Sequence, residues 1–213
     1  MPQVKKNHYF RGKYNDLNRF ISYFYQIQLA TEAVGHDIKK IILEVGVGNR
    51  LVADYLVRLG FRVTTCDIDE ELKPDVIADI RNLLFHDNQF DLVLAFEVLE
   101  HLPFSDFRKA LDELKRVSGE YVIISLLYRR TGLEFVLKFP FIRSLFGKKF
   151  LDFFIGMPLV FRGFETSGQH HWEMDFKQYS LRHIRSILSV KFQIIKETRP
   201  VLNSYHYFFV LKK

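Results

Sequence analysis

The spacing of polar and apolar positions changes along the chain. Over Asp16 to Ala33, Leu17, Phe20, Ile21, Phe24, Ile27 and Ala30 recur at helical spacing, which predicts an amphipathic helix leading into a core. From Ile41 the pattern turns to alternating strands and helices. Ile41–Val45 is an apolar run ending in Gly-Val-Gly, Leu51–Leu59 is helical and stops at Gly60, and Arg62–Asp67 is a β-branched strand. There follow a short strand at Val76–Ala78, a continuously apolar one at Phe90–Ala95, a helix from a Ser105 cap to Arg116, and a strand at Tyr121–Ser125. A helix at Ser180–Leu188 and strands at Phe192–Glu197 and Tyr205–Leu211 close the pattern. Strands apolar on both faces belong in a sheet covered by helices on each side. The expected fold is therefore α/β, doubly wound and Rossmann-like.

The segment Leu126–Phe164 breaks this grammar. Ile142, Leu145, Phe146, Phe150, Phe153 and Phe154 fall at helical spacing, and Pro140 separates them from Leu133–Lys138, so a helical insertion after the fifth strand is expected. The segment holds nine of the 22 phenylalanines and seven basic against two acidic residues, which is most of the chain's net charge of +6. Such an insertion is either a lid packed over a substrate pocket or a surface that touches an anionic membrane through 133–164. Nucleic acid is the less expected partner, because these phenylalanines are patterned for burial and not for stacking along a basic groove. The longest uncharged apolar stretch, Phe153–Phe161, has nine residues, far short of the roughly 20 that cross a bilayer. A single cysteine, Cys66, allows no internal disulfide, and no secretory leader pattern opens the sequence. A cytoplasmic protein is expected.

Candidate chemistry begins at Glu44-Val45-Gly46-Val47-Gly48-Asn49-Arg50. A glycine turn between a first strand and a helix lets backbone amides approach a ligand at a helix N-terminus. The dinucleotide fingerprint would need Gly or Ala where this chain has Leu51, which disfavours a nicotinamide or flavin cofactor. Asp67, 21 residues after Gly46, ends the second strand, where a carboxylate can accept hydrogen bonds from both ribose hydroxyls.

This pattern resembles the class I S-adenosylmethionine-dependent methyltransferases, whose first motif is an acid followed by Gly-x-Gly-x-Gly. Glu44, Gly46 and Gly48 match it and Arg50 replaces the third glycine. The resemblance continues through Asp67-Ile68 at the ribose, Asp79-Ile80 where the family places the acid facing the adenine amino group, and Phe90-Asp91-Leu92-Val93-Leu94-Ala95-Phe96-Glu97-Val98-Leu99-Glu100-His101-Leu102 as the fourth strand and the helix after it. It implies a seven-stranded sheet with an antiparallel last strand, S-adenosylmethionine as cofactor, and Ala95, Phe96 and Glu97 facing its methionine part. An arginine at position 50 would be free to meet the cofactor carboxylate. The Leu-Glu-x-Gly-x-Gly-Asn turn, Pro74-Asp75 and the His-x-Trp-Glu-like element at 170–173 are similar to a bacterial and archaeal branch of that family.

The 213 residues then read as one methyltransferase domain. Its parts are an arm and helix at 1–37, a cofactor-binding core at 38–125, a lid or substrate insertion at 126–175, and C-terminal helix and strands at 176–213. The expected acceptor is a small molecule, or one linked to lipid or glycan, methylated at oxygen. A base would help there, and histidine is the default. The cluster Gln169-His170-His171-Trp172-Glu173 makes His170 and His171 the catalytic candidates. The other reading has Trp172 packing under the insertion and the histidines satisfying buried backbone. Metal binding by His170, His171, Glu173 and Asp175 fits no zinc spacing, so no metal is expected. Glu97 and His101, four apart, would share a helix face, with Glu97 lining the cofactor pocket. His206 either reaches the site mouth or sits on the sheet. A non-catalytic S-adenosylmethionine-binding scaffold and a nucleic-acid methyltransferase are the competing functions.

Overall fold

The computed structural model describes residues 15–130, 132–147, 149–157, 170–176 and 178–213. The expected N-terminal arm, Lys148 and the whole stretch from Pro158 to Gln169 lie outside them. In chain order the elements are α1 (Leu17–Val34), β1 (Ile41–Val45), α2 (Leu51–Arg58), β2 (Arg62–Asp67), β3 (Val76–Ile77), β4 (Phe90–Phe96), α3 (Phe104–Val117), β5 (Ser118–Leu127), β6 (Gly132–Leu137), α4 (Ile142–Phe146), β7 (Leu151–Gly156), α5 (Leu181–Lys191), β8 (Gln193–Thr198) and β9 (His206–Lys212).

Seven strands form one sheet in the order β3-β2-β1-β4-β5-β9-β8. β1 to β5 run parallel, and β9 lies antiparallel between β5 and β8. Alternation along the central strands splits the core into two layers. Ile42, Leu92, Leu94 and Phe96 pack under α1 and α2, while Leu43, Val93 and Ala95 pack under α3 and α5. Each fully buried aliphatic side chain there contributes about 1.5–3 kcal/mol. That explains why the central strands read as unbroken apolar runs.

Two expectations are corrected. The insertion does follow β5 and does contain the helix α4, but Leu151–Gly156 is a strand paired antiparallel with β6 and not the continuation of a helix. Leu133, Phe135 and Leu137 alternate with period two, as do Leu151, Phe153 and Ile155, and the hairpin register uses that period. In α1 the buried face is Ser22, Tyr23, Gln26, Leu29, Ala30 and Val34, whereas Leu17, Phe20 and Phe24 stand exposed. The polar members of the helix's inner side, Arg19, Ser22 and Gln26, find partners in Glu97 and His206.

Candidate functional site

The strand order reverses between β1 and β4, so the loops leaving their C-terminal ends diverge and open a crevice. The glycine turn forms one wall. Gly46 has φ +86° and Gly48 φ +53°. A Cβ on Gly46 would overlap Val98 Cγ2, so this position excludes any side chain both conformationally and sterically. Asp67 ends β2 and reaches back to the turn, its Oδ2 accepting from the Val47 amide at 2.8 Å and its Oδ1 from the Asp69 amide at 2.9 Å. Each oxygen retains a second lone pair. Burial pushes the Asp67 carboxyl up from its ordinary value, opposed by those amides. Ile68 beside it leaves half its surface open.

Glu44, at the floor of the turn, is buried, and its Oε2 has no hydrogen-bond partner. Burial pushes its carboxyl up to about 8, partly offset by the Ala53 amide. Arg50 caps α2 in the left-handed region with φ +64°, a conformation that favours glycine. Its guanidinium does not turn into the crevice. It donates to the Lys73 carbonyl at 2.8 Å and pairs with Asp54 at 3.6 Å, so the cofactor-carboxylate role expected of it is not supported by its placement. Asp79 is gripped by Arg81 through both oxygens, at 2.6–3.1 Å, and Arg81 also reaches Asp106. That guanidinium holds the Asp79 carboxyl below the usual range. Ile80 is core.

At the end of β4, Ala95 is fully buried and Phe96 packs edge-on against Phe208. Glu97 and His101 do not share a helix face: Glu97 sits at φ +55° and His101 ends a 3₁₀ turn, Leu99–His101, before α3 begins at Phe104. Tertiary contacts hold this strained residue. Its amide donates to Ser125 Oγ at 3.0 Å, and its carboxylate pairs with Arg19, accepts from Gln26 and lies 3.2 Å from His206 Nδ1. Burial alone would raise the Glu97 carboxyl, but His206 and the Arg19 guanidinium beside it lower it. His206 is buried and hydrogen-bonded to Ser22, and burial lowers its pKa. Arg19, Ser22 and Gln26 all come from α1. None was singled out from the sequence, where the signal would have been polar side chains recurring three and four apart on a helix next to apolar ones.

Across the crevice, the segment 170–176 lies against the end of β5 through a bridge between Tyr128 and Met174. Trp172 is buried among Phe104, Phe107 and Tyr179. His170 Nδ1 lies 3.1 Å from Glu173 Oε1, which also accepts from Tyr205 Oη at 3.1 Å, and Arg129 pairs with Glu173 Oε2 at 3.2 Å. These partners hold the Glu173 carboxyl low despite burial. The His170 ring meets His101 edge-on, with centroids 5.0 Å apart. His171 is exposed, and its amide donates to the Glu100 carbonyl at 2.9 Å. The structure thus separates the neighbouring histidines: one is oriented by a buried carboxylate and the other faces outward. Among the described residues no three His, Cys, Asp or Glu side chains are placed to hold a metal ion, and no helix is long and apolar enough to cross a membrane.

Residues 43–123 match the family model described as a methyltransferase domain. No curated protein matches the chain. Among solved structures, magnesium protoporphyrin IX methyltransferase from Synechocystis PCC 6803, with bound S-adenosylhomocysteine, has a TM-score of 0.64 at 15% identity, covering 97% of this chain and 92% of that one. A SAM-dependent methyltransferase from Aquifex aeolicus gives 0.60 at 16%, covering 98% of each. The 1,6-didemethyltoxoflavin-N1-methyltransferase of Burkholderia thailandensis gives 0.61 at 14%, covering 100% and 92%. At these identities the likeness is one of fold.

Proposed function

We propose, from the match of residues 43–123 to a methyltransferase-domain model, that the chain is a class I methyltransferase that transfers a methyl group from S-adenosylmethionine to the oxygen of a small-molecule, lipid-linked or glycan-linked acceptor. The observation that carries this reading is the left-handed Gly46–Gly48 turn closed onto Asp67, a carboxylate at the end of β2 positioned to accept from a ribose hydroxyl. The unpartnered Oε2 of buried Glu44 suits the cofactor's ammonium group. Ile68 offers an apolar surface to the adenine, and Ala95, Phe96 and Glu97 line the methionine end. Asp79 receives the adenine amino group only by exchange with Arg81, a departure from the family pattern.

The cofactor supplies a methyl group already activated on a sulfonium, so the protein's work is mainly alignment. Glu173 accepts from Nδ1 of His170 and so fixes the tautomer in which Nε2 is the basic ring nitrogen. Nε2 of His170 would take the proton of the acceptor hydroxyl as that oxygen is methylated. His171, facing outward, contributes at most a substrate hydrogen bond. Glu97 holds α1 over the crevice through Arg19 and Gln26, which excludes water from it.

Calorimetric titration with S-adenosylmethionine and S-adenosylhomocysteine tests the reading, beside an Asp67→Ala variant shown to be folded by circular dichroism. Affinity should fall by at least about 1 kcal/mol in the variant. Absence of binding to the folded wild type overturns the reading. A binding-only scaffold is the second reading, favoured by the commitment of Asp79 to Arg81; cofactor binding with no turnover across a broad panel of hydroxyl acceptors would select it.

A further inference from the structure

The hairpin β6–β7 is built inside out. Its register pairs Leu133 with Ile155, Phe135 with Phe153 and Leu137 with Leu151, so all six side chains share one face. That face has no polar member, and five of the six are about half exposed. The opposite face carries Glu134, Val136, Asp152 and Phe154; Glu134 and Phe154 on it meet the body of the protein, while Val136 and Asp152 are exposed. Glu134 accepts from the Leu202 amide at 3.0 Å, and the Arg199 guanidinium lies over the Phe154 ring. A hairpin resting on a protein normally turns its apolar side inward and its polar side to water. Here both acids of the hairpin stand on that opposite face, and the open side is a sheet of hydrocarbon. The tip extends it, with Phe141 78% and Leu145 69% exposed.

Charge selects what covers this face. Lys138, Arg143 and Lys149 are exposed around the tip, and no acid shares the open face with them. Two copies meeting through it would bring their basic tips together, which repels. A surface combining hydrocarbon with negative headgroups matches both features, since the aromatic and aliphatic side chains enter the acyl boundary while the lysines and arginine stay at headgroup level.

We propose that the open face of the β6–β7 hairpin and the α4 tip seat on an anionic lipid bilayer. Docking follows from the hairpin alone and holds whatever the crevice binds. The hairpin leaves the sheet at the end of β5, where the crevice opens, so the acceptor side is carried to the lipid; that orientation, unlike docking, rests on the methyltransferase reading.

The test is co-sedimentation of the full chain with vesicles of phosphatidylcholine alone and of phosphatidylcholine mixed with phosphatidylglycerol, at low and high salt, with sedimentation velocity on the free protein. Binding to the mixed vesicles is expected, weakened by high salt. Each basic side chain at an anionic surface adds roughly fivefold to the partition coefficient, so Lys138→Glu/Arg143→Glu/Lys149→Glu should lower it about a hundredfold or more. Phe135→Glu/Phe153→Glu should lower it at least about tenfold with circular dichroism unchanged, because both rings are already exposed. The tip variant changes only exposed residues and keeps the test decisive if the hairpin variant misfolds. Absence of binding to mixed vesicles overturns the proposal, as does binding that the tip variant leaves intact. A dimer dissolved by Phe135→Glu/Phe153→Glu, without vesicle binding, overturns it in favour of a second copy of the chain.

Discussion

Replacing Glu44 by glutamine isolates the energetic consequence of the buried carboxyl beneath the glycine turn. Burial disfavours the charge and pushes this carboxyl from its ordinary 4.5 up to about 8. A carboxyl whose folded-state pKa is raised holds its proton in the native state. Its contribution to stability is therefore fully present below about 4.5 and is lost as pH climbs through about 8. A rise from 4.5 to about 8, at about 1.4 kcal/mol per pH unit, is worth roughly 5 kcal/mol. Glu44→Gln keeps the shape and an acceptor for the Ala53 amide but removes the titration. In urea unfolding between about pH 5 and 9, the wild type should lose stability relative to the variant by that order, most of it before pH 8. A difference between the two proteins that stays constant across the range would refute the reasoning. If the carboxylate meets the cofactor's ammonium, binding near neutral pH releases a proton, read as a buffer-dependent heat that Glu44→Gln abolishes.

Arg50→Gly should be more stable than Arg50→Ala by about 1 kcal/mol in urea unfolding, because both lose the Lys73 contact but only glycine relieves the left-handed backbone; equal stabilities would show that the turn stores no strain. Trp172→Ala should cost about 3–5 kcal/mol as a core cavity, whereas a cost below about 1 kcal/mol would mean that the site collapses around the loss. With whichever hydroxyl acceptor turns over, His170→Gln should lower kcat by about a hundredfold or more, measured as S-adenosylhomocysteine release. His171→Gln should stay within a few-fold; the reverse order would reassign the base.

The central sheet was legible because its strands are buried on both faces and so leave unbroken apolar runs bounded by turn residues. That Glu44, Gly46, Gly48 and Asp67 lie together was legible because a glycine turn after a first strand and an acid ending the second must meet at one end of a parallel sheet. The hairpin was obscured because Ile142, Leu145, Phe146, Phe150, Phe153 and Phe154 satisfy a helical period while Leu151, Phe153 and Ile155 also satisfy a period of two; only pairing with Leu133, Phe135 and Leu137 chooses between them. The roof of the crevice was hidden for another reason. Arg19, Ser22 and Gln26 join Glu97 and His206 across long stretches of chain, and local pattern carries no record of such meetings.

One of those meetings bears on how the molecule is made. Ser22 and His206 are 184 residues apart, and β9, which carries His206, slots between β5 and β8 in the interior of the sheet. On the ribosome, the glycine turn, Asp67 and β5 all emerge well before that strand. Until it arrives β5 is an open edge, and the surfaces that will receive Phe208 and Phe209 face solvent. Closure over so long a separation is slow compared with local folding. Synthesis therefore passes through a stage with the cradle shaped, its roof unlatched and a long apolar edge on offer to other chains. A stall or cut ahead of residue 206 would hold the molecule there.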